Sequence, residues 1–215
     1  MAITLFGRRS AFNVQKVLWL LGELGLEFEH RNAGGSFGGL DTPEFRAMNP
    51  HGRIPVLCDG ELVVWESHSI LRYLAASYGA PALWADSPAE RSQADRWMDW
   101  SLTALQVDFM QLFWGWFRTP EAERDAAANR AAPKDCARHF RLLDAELASR
   151  PYLAGAQFGL ADVPAGTCLF RYFAMGLEVE RPPHVDAWYV RLAERPAYRA
   201  NVMVPFDELR GRLAF

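Results

Sequence analysis

Several kinds of residue are scarce in this 215-residue chain, and each scarcity excludes something. No apolar run approaches the ~20 residues that a membrane helix needs, so no membrane span is expected. Cysteine is rare: Cys58, Cys136 and Cys168 are an odd three, widely spaced and without a CxxC pair. Neither a zinc site nor a dithiol redox motif is expected from them, and they read as buried free thiols in a reducing cytoplasm. The five histidines show no HExxH or other ligand spacing, so no metal is expected. Charge of neither sign is in excess: the formal net charge of −3 gives no general pull towards nucleic acid or an anionic membrane. The opening MAITLFGRRS places its basic pair after a short apolar run, the reverse of a secretory signal. A cytoplasmic location is expected.

What is present is an ordinary globular composition, half of it hydrophobic, and enough length for one large domain or two small ones. ITLF, residues 3–6, is a short strand ended by Gly7. From Asn13 the period changes to that of a helix, with Val14, Val17, Leu18, Leu21 and Leu24 on one face and Gly25 as a stop. Phe28 to Arg31 fits a second strand, and GGSFGG, 34–39, reads as a flexible loop because it matches no phosphate-binding spacing. IPVLCDGELVVWES, 54–67, predicts a hairpin turning at Asp59-Gly60. Glu66-Ser67 then opens a helix with Ile70, Leu71, Leu74 and Tyr78 on its apolar face. The order strand, helix, strand, loop, hairpin, helix makes residues 1–80 a compact α/β domain.

APALWADSPAERS, 80–92, carries two prolines and marks a linker over 81–87. Ser87 is a candidate N-cap, with Pro88 at the first helical position. Residues 88–215 are helical in character. The helix from 88 to about 117 has two apolar stripes. Trp97, Trp100, Ala104, Val107 and Trp114 form one; Met98, Leu102, Leu105, Phe109, Leu112 and Trp116 form the other. A helix apolar on two faces must be buried twice. Further helices are expected around Cys136, Phe140, Leu143 and Leu147, after Leu160, and over 184–194.

Three features of the first domain point to one ligand. The strand-to-helix turn GRRSAFNVQKV, 7–17, aims N–H dipoles and small polar side chains outward, which favours an anion such as a thiolate. In NPHGRIPV, 49–56, a proline opens a strand; a cis Ile54–Pro55 bond would present the N–H and C=O of Ile54 to an extended peptide. Glu66-Ser67 at a helix start offers a carboxylate for an ammonium beside a hydroxyl and N–H groups for a carboxylate. Together they suit a zwitterionic, thiol-bearing peptide.

With these residues in view, the chain resembles the cytosolic glutathione S-transferase family over essentially its whole length. ITLFGRRSAFNVQKVLWLLGELGLEFE is similar to that family's first strand and helix. NPHGRIPVL with DGELVVWESHSILRYLA resembles its glutathione-site signature, and FGLADVPAG, 158–166, resembles the start of its buried core helix. The turn is most similar to that of bacterial enzymes related to the theta and zeta types. The resemblance implies a thioredoxin-like α/β N-terminal domain, an all-α helical-bundle C-terminal domain, a cis bond at Ile54–Pro55 and a homodimer. It implies glutathione as co-substrate, with Ile54 and Pro55 at its cysteinyl backbone, Glu66 and Ser67 at its γ-glutamyl end, and Arg53, Phe12 and Asn13 alongside.

The turn departs from the family where activation of the thiol is concerned. The position expected to carry a serine is Ala11, and an alanine donates no hydrogen bond to a thiolate. Three readings stay open: Ser10 takes the role through a different turn; Asn13 and the first helical N–H groups do so, with Arg8 adding positive potential; or the thiol is not activated. Absence of cysteine in the turn argues against disulfide reduction. A second departure is Gly159, where the resemblance implies a capping Ser or Thr, leaving Asp162 to accept first-turn N–H bonds. The electrophile is expected against Phe12, Phe109, Phe113, Trp114 and Phe117, with Arg8 and Arg9 favouring acidic electrophiles. The activity implied is attack of glutathione on a small apolar or haloorganic electrophile. A non-catalytic glutathione-binding or ligand-sequestering protein is the alternative, and a glutathione-dependent isomerase ranks third.

Overall fold

The computed structural model describes residues 3–213. The N-terminal part runs β1 (Ile3–Phe6), α1 (Phe12–Glu23), β2 (Phe28–Arg31), α2 (Pro43–Met48), β3 (Val56–Asp59), β4 (Leu62–Trp65) and α3 (Ser67–Tyr78). Its four strands are ordered β2-β1-β3-β4; β1 pairs parallel with β2 and antiparallel with β3. Side chains alternate across such a sheet. Ile3, Leu5 and Leu57 therefore face α1 and α3, whereas Phe6, Val56 and Trp65 face α2 in a smaller cluster with Phe45. This is the thioredoxin-like α/β arrangement expected.

Two local readings need correction. The hairpin turns one residue later than predicted, because Asp59 still pairs with Leu62 and the two loop residues are Gly60 and Glu61. Gly60 takes φ +61 at the first central position, where such turns favour glycine. The stretch 34–39 holds a 3₁₀ turn (Gly35–Phe37), and the loop after it contains α2, whose Phe45 N–H is capped by Thr42 Oγ1 at 3.2 Å. Six residues are too few for a visible apolar period, so only the Thr-Pro cap signal marked α2.

The second part is helical: α4 (Pro88–Trp100), α5 (Gln106–Leu112), α6 (Ala126–Leu147), α7 (Asp162–Ala174), α8 (Pro183–Ala193) and the unpredicted α9 (Pro196–Asn201). The long helix predicted from 88 does run unbroken to Arg118, but two π-helical segments, Ser101–Leu105 and Phe113–Arg118, bracket α5. Each adds a residue to its turn and rotates the following face, so the stripes cannot stay straight. Met98, Leu105, Phe109 and Leu112 are buried, whereas Leu102, Val107 and Trp114 are exposed. Ser87 precedes Pro88 as expected but makes no side-chain cap bond. Ile70, Leu71 and Leu74 are buried in α3; Tyr78 is exposed, its hydroxyl donating to Asp59. Cys136 and Cys168 are buried free thiols, but Cys58 is only partly buried.

One apolar core runs through both parts, from Leu5 and Trp19 to Phe140, Trp188 and Tyr198. The two parts approach closely at Gly166 on α7, where an added Cβ would lie 2.8 Å from Leu192 and 3.0 Å from the Trp19 indole. Asp162 opens α7, but its carboxylate accepts from the N–H of Gly159 (2.9 Å), that of Leu153 (3.0 Å) and Trp188 Nε1 (3.0 Å), not from its own first turn. A Cβ at Gly159 would meet nothing within 4 Å. Gly159→Ser is therefore expected to stabilise the fold by about 0.5–1 kcal/mol, by adding a cap and restricting the unfolded chain. Urea denaturation would measure it; a loss of stability would sink the capping argument.

Candidate active site

At the C-terminal end of β1, Gly7 takes φ +148 and sits so close to Val14 that a Cβ there would lie 2.5 Å from its methyl group. This close approach lets α1 begin immediately over the strand end. The helix starts at Phe12 with Ala11 as N-cap, and no side chain caps it. Asn13, at the second helical position, has its Oδ1 buried with no hydrogen-bond partner among the described residues. The Ser10 carbonyl accepts from Arg171 Nη2 at 2.6 Å, so α7 of the helical part holds the turn in place.

Opposite the turn lies the Ile54–Pro55 bond, which is cis, at the head of β3. The register Val56 with Trp65 brings the following Glu66 and Ser67 alongside this bend. Glu66 is exposed and takes φ +68, the one positive φ among the described non-glycine residues. Such a conformation costs of order 1–3 kcal/mol and is characteristic of ligand sites. Ser67, buried, is the first residue of α3.

Between these elements and α5 lies a cavity of about 420 Å³. Of the predicted residues, Arg8, Ser10, Phe12, Asn13, Arg53, Ile54, Phe113 and Trp114 line it. Pro55, Glu66 and Ser67 stand beside it as just described. Phe109 and Phe117 do not reach it: both are fully buried and stack on the two sides of Phe113, with centroids 5.9 and 5.2 Å away. The spacing that suggested an aromatic wall is instead a core stack, because the second π segment rotates Trp114 and Arg118 towards the cavity. Arg9 also lies outside, donating to Asn201 at 3.1 Å.

Among the residues not predicted, Leu40, Gln106, Met110, Arg118 and Arg171 also line it. Arg171 is 2 % exposed and packed among the rings of Phe12, Phe113 and Phe206. Burial pulls its pKa down to about 9, and the neighbouring Arg8 adds to the effect. Burial likewise lowers Arg8 and Arg118. A lone arginine inside the apolar α7 was the sequence signal for Arg171, as Lys16 was within α1.

Lys16, wholly buried, donates to Gln106 Oε1 at 2.6 Å and meets His68 Nε2 at 3.1 Å. Burial lowers Lys16 to about 7, opposed by Cys168 and Glu66. Burial, then Lys16 and Arg72, hold His68 down from 6.5 to about 2. Between those two values the unfolded chain takes a proton that folded His68 refuses, so stability rises with pH and is lost on acidification below 6.5. The His68 contribution is expected to fall by up to about 1.4 kcal/mol per pH unit in that window. Urea midpoints at pH 7 and 5 should converge in His68→Gln; an unchanged slope would contradict this.

A thioredoxin-like sheet with a cis proline opposite a helix N-terminus, closed by an all-helical partner, defines a thiol-peptide-binding class of protein. Comparison makes the class specific. Family models described as the glutathione S-transferase N-terminal and C-terminal domains match residues 1–76 and 105–196. Glutathione S-transferase GstB of Escherichia coli is 45% identical over 205 residues, covering 94% of this chain and 99% of that protein. The theta class glutathione S-transferase of Xanthomonas axonopodis pv. citri, solved with glutathione bound, superposes with a TM-score of 0.90 at 49% identity, covering 95% of this chain and 98% of that one. Ure2p in complex with glutathione is similar at 26% identity and a TM-score of 0.83, covering 94% and 93%. The chain belongs to the glutathione S-transferase family and is an enzyme of that class.

Proposed function

We propose that the enzyme binds glutathione along Ile54, Pro55, Glu66 and Ser67 and activates its thiol with Asn13 and the first N–H groups of α1. The observation that carries this reading is the buried Asn13 Oδ1, without a partner among the described residues, in the cavity wall at the start of α1. That oxygen can accept from the thiol; after a half-turn of the amide, its N–H₂ donates to the thiolate. Helix N-termini lower thiol pKa values well below ~8.5, so the alanine at position 11 does not prevent ionisation. Ser10 also faces the cavity and supports the same charge, while Arg8 adds positive potential.

The thiolate then attacks the electrophile's carbon: a C–S bond forms, the carbon–halogen bond breaks, and halide leaves. The thiol proton passes to solvent. Apolar Phe12, Met110, Phe113 and Trp114 hold a small haloorganic molecule, and the positive charge of Arg8 with Arg118 and Arg171 favours an acidic one. Arg8→Ala is expected to reduce the preference for anionic over neutral haloalkanes several-fold in steady-state rates. An unchanged ratio would remove Arg8 from substrate choice.

A homodimer accounts for the apolar residues that the long helix leaves exposed. Leu102, Val107 and Trp114 on the long helix and Leu62 and Val63 on the edge strand β4 are exposed, and a second copy would bury them. No helix among the described residues is long and apolar enough to cross a membrane; the reading places the enzyme in the cytoplasm.

Calorimetric titration with reduced glutathione, in two buffers of different ionisation enthalpy near neutral pH, tests the central claim. Release of close to one proton is expected. Binding without proton release would mean that the turn holds glutathione without activating it, and a binding-only role would replace the catalytic one.

A further inference from the structure

Lys16 sits where the γ-glutamyl anchor and the electrophile wall meet. His68, which it touches, follows Ser67 in the first turn of α3; Gln106, to which it donates, is the first residue of α5 and lines the cavity. An ammonium group has donors only. The charged form of Lys16 therefore holds the carbonyl oxygen of Gln106, at 2.6 Å, which leaves the amide N–H₂ as the end available to the cavity. His68 presents Nε2 as acceptor to the same ammonium, so its proton is on Nδ1, and the ring of Phe12 covers Lys16 with its centroid 4.9 Å from Nζ. The first π segment ends at Leu105 and sets the rotation of Gln106. Glutamine is otherwise free to present either end, and here the buried Lys16, when charged, selects one.

We propose that Gln106, its amide oriented by Lys16, is a specificity-determining hydrogen-bond donor of the electrophile pocket, and that the favoured electrophiles carry an oxygen acceptor conjugated to the reacting carbon. This rests on the transferase reading above. In attack on a halonitroarene the sulfur lone pair forms the C–S bond, and negative charge moves through the ring onto the nitro oxygens. Those electrons then return to the ring as the carbon–chlorine bond breaks and chloride leaves. A donor fixed at the acceptor oxygen stabilises charge that exists only during the reaction. Attack on a benzylic halide sends no charge to an oxygen, and the same donor has nothing to stabilise. Lys16 acts through Gln106 and is a positioning residue.

The test compares kcat/KM for 1-chloro-2,4-dinitrobenzene and benzyl chloride. Gln106→Leu is expected to lose at least tenfold on the first and less than twofold on the second. Gln106→Glu keeps an acceptor for Lys16 but offers no donor, so it should show the same selective loss with an undiminished Tm. Lys16→Met should reproduce the selectivity change; should it not fold, Gln106→Glu decides alone. Equal losses on both electrophiles, or none, overturn the inference while leaving the transferase reading intact. A parent enzyme inactive towards both overturns the reading, and the inference with it.

Discussion

Asp162→Ala is expected to destabilise the fold by about 3–5 kcal/mol, the largest stability effect of any single substitution considered. The wild-type carboxylate is wholly buried and is the acceptor for the N–H groups of Leu153 and Gly159 and for Trp188 Nε1. Alanine leaves three donors dry, and a buried unsatisfied donor costs roughly 1–3 kcal/mol. The three come from the loop before α7, the turn at Gly159 and α8, so one carboxylate ties these parts of the helical domain together. Burial pushes the acid up to about 7 while the same three N–H groups pull it down. Asp162→Asn keeps one oxygen and should fall between wild type and alanine. Urea denaturation at pH 7 measures both, and a loss below about 1 kcal/mol for alanine would show that the three donors find other partners.

Asn13→Ala is expected to lower kcat/KM for glutathione conjugation by about 10- to 100-fold, the value of one hydrogen bond to a charged group, roughly 1.5–3 kcal/mol. The proton released on glutathione binding should fall with it. Ala11→Ser supplies the complementary experiment. Ala11 is the N-cap of α1 and lines the cavity, so a serine there can cap the helix with its lone pairs and still donate its one proton to sulfur. In the Asn13→Ala background, Ala11→Ser is expected to restore at least tenfold and to raise stability by about 1 kcal/mol. Stopped-flow detection of thiolate absorbance, with steady-state rates, reads both effects. An Asn13→Ala enzyme of full activity would shift the role to Ser10 and the helix N-terminus.

Much of the first domain was legible because its signals are local. β1, α1, the hairpin strands and α3 follow from period-2 and period-3.6 patterning, from Gly25 as a stop and from Glu66-Ser67 as a start. The residues proposed to hold glutathione were equally visible, since Arg53, Ile54, Glu66 and Ser67 lie within one short stretch of chain. The hairpin slipped by one residue because Asp59-Gly60 and Gly60-Glu61 both offer glycine a left-handed position. Two helices of six residues, α2 and α9, were missed because each is shorter than two turns.

The electrophile wall was the least legible part. Phe109, Phe113 and Phe117 are spaced four apart and look like one face, yet only Phe113 reaches the cavity. Two π segments set where that face points, and nothing in the composition of SLTAL or FWGWFR announces an added residue per turn.

The sequence by itself determined the two-part architecture, the turn that starts α1 and the short stretch around the proline, because all of these depend on neighbours in the chain. Only the tertiary structure decided which aromatics are core, that Arg9 faces away, that Arg171 holds Ser10, and that Lys16 fixes Gln106. Each of those joins residues far apart in sequence, and the penalty for leaving a buried charge without a partner selects among arrangements that local patterning leaves equivalent.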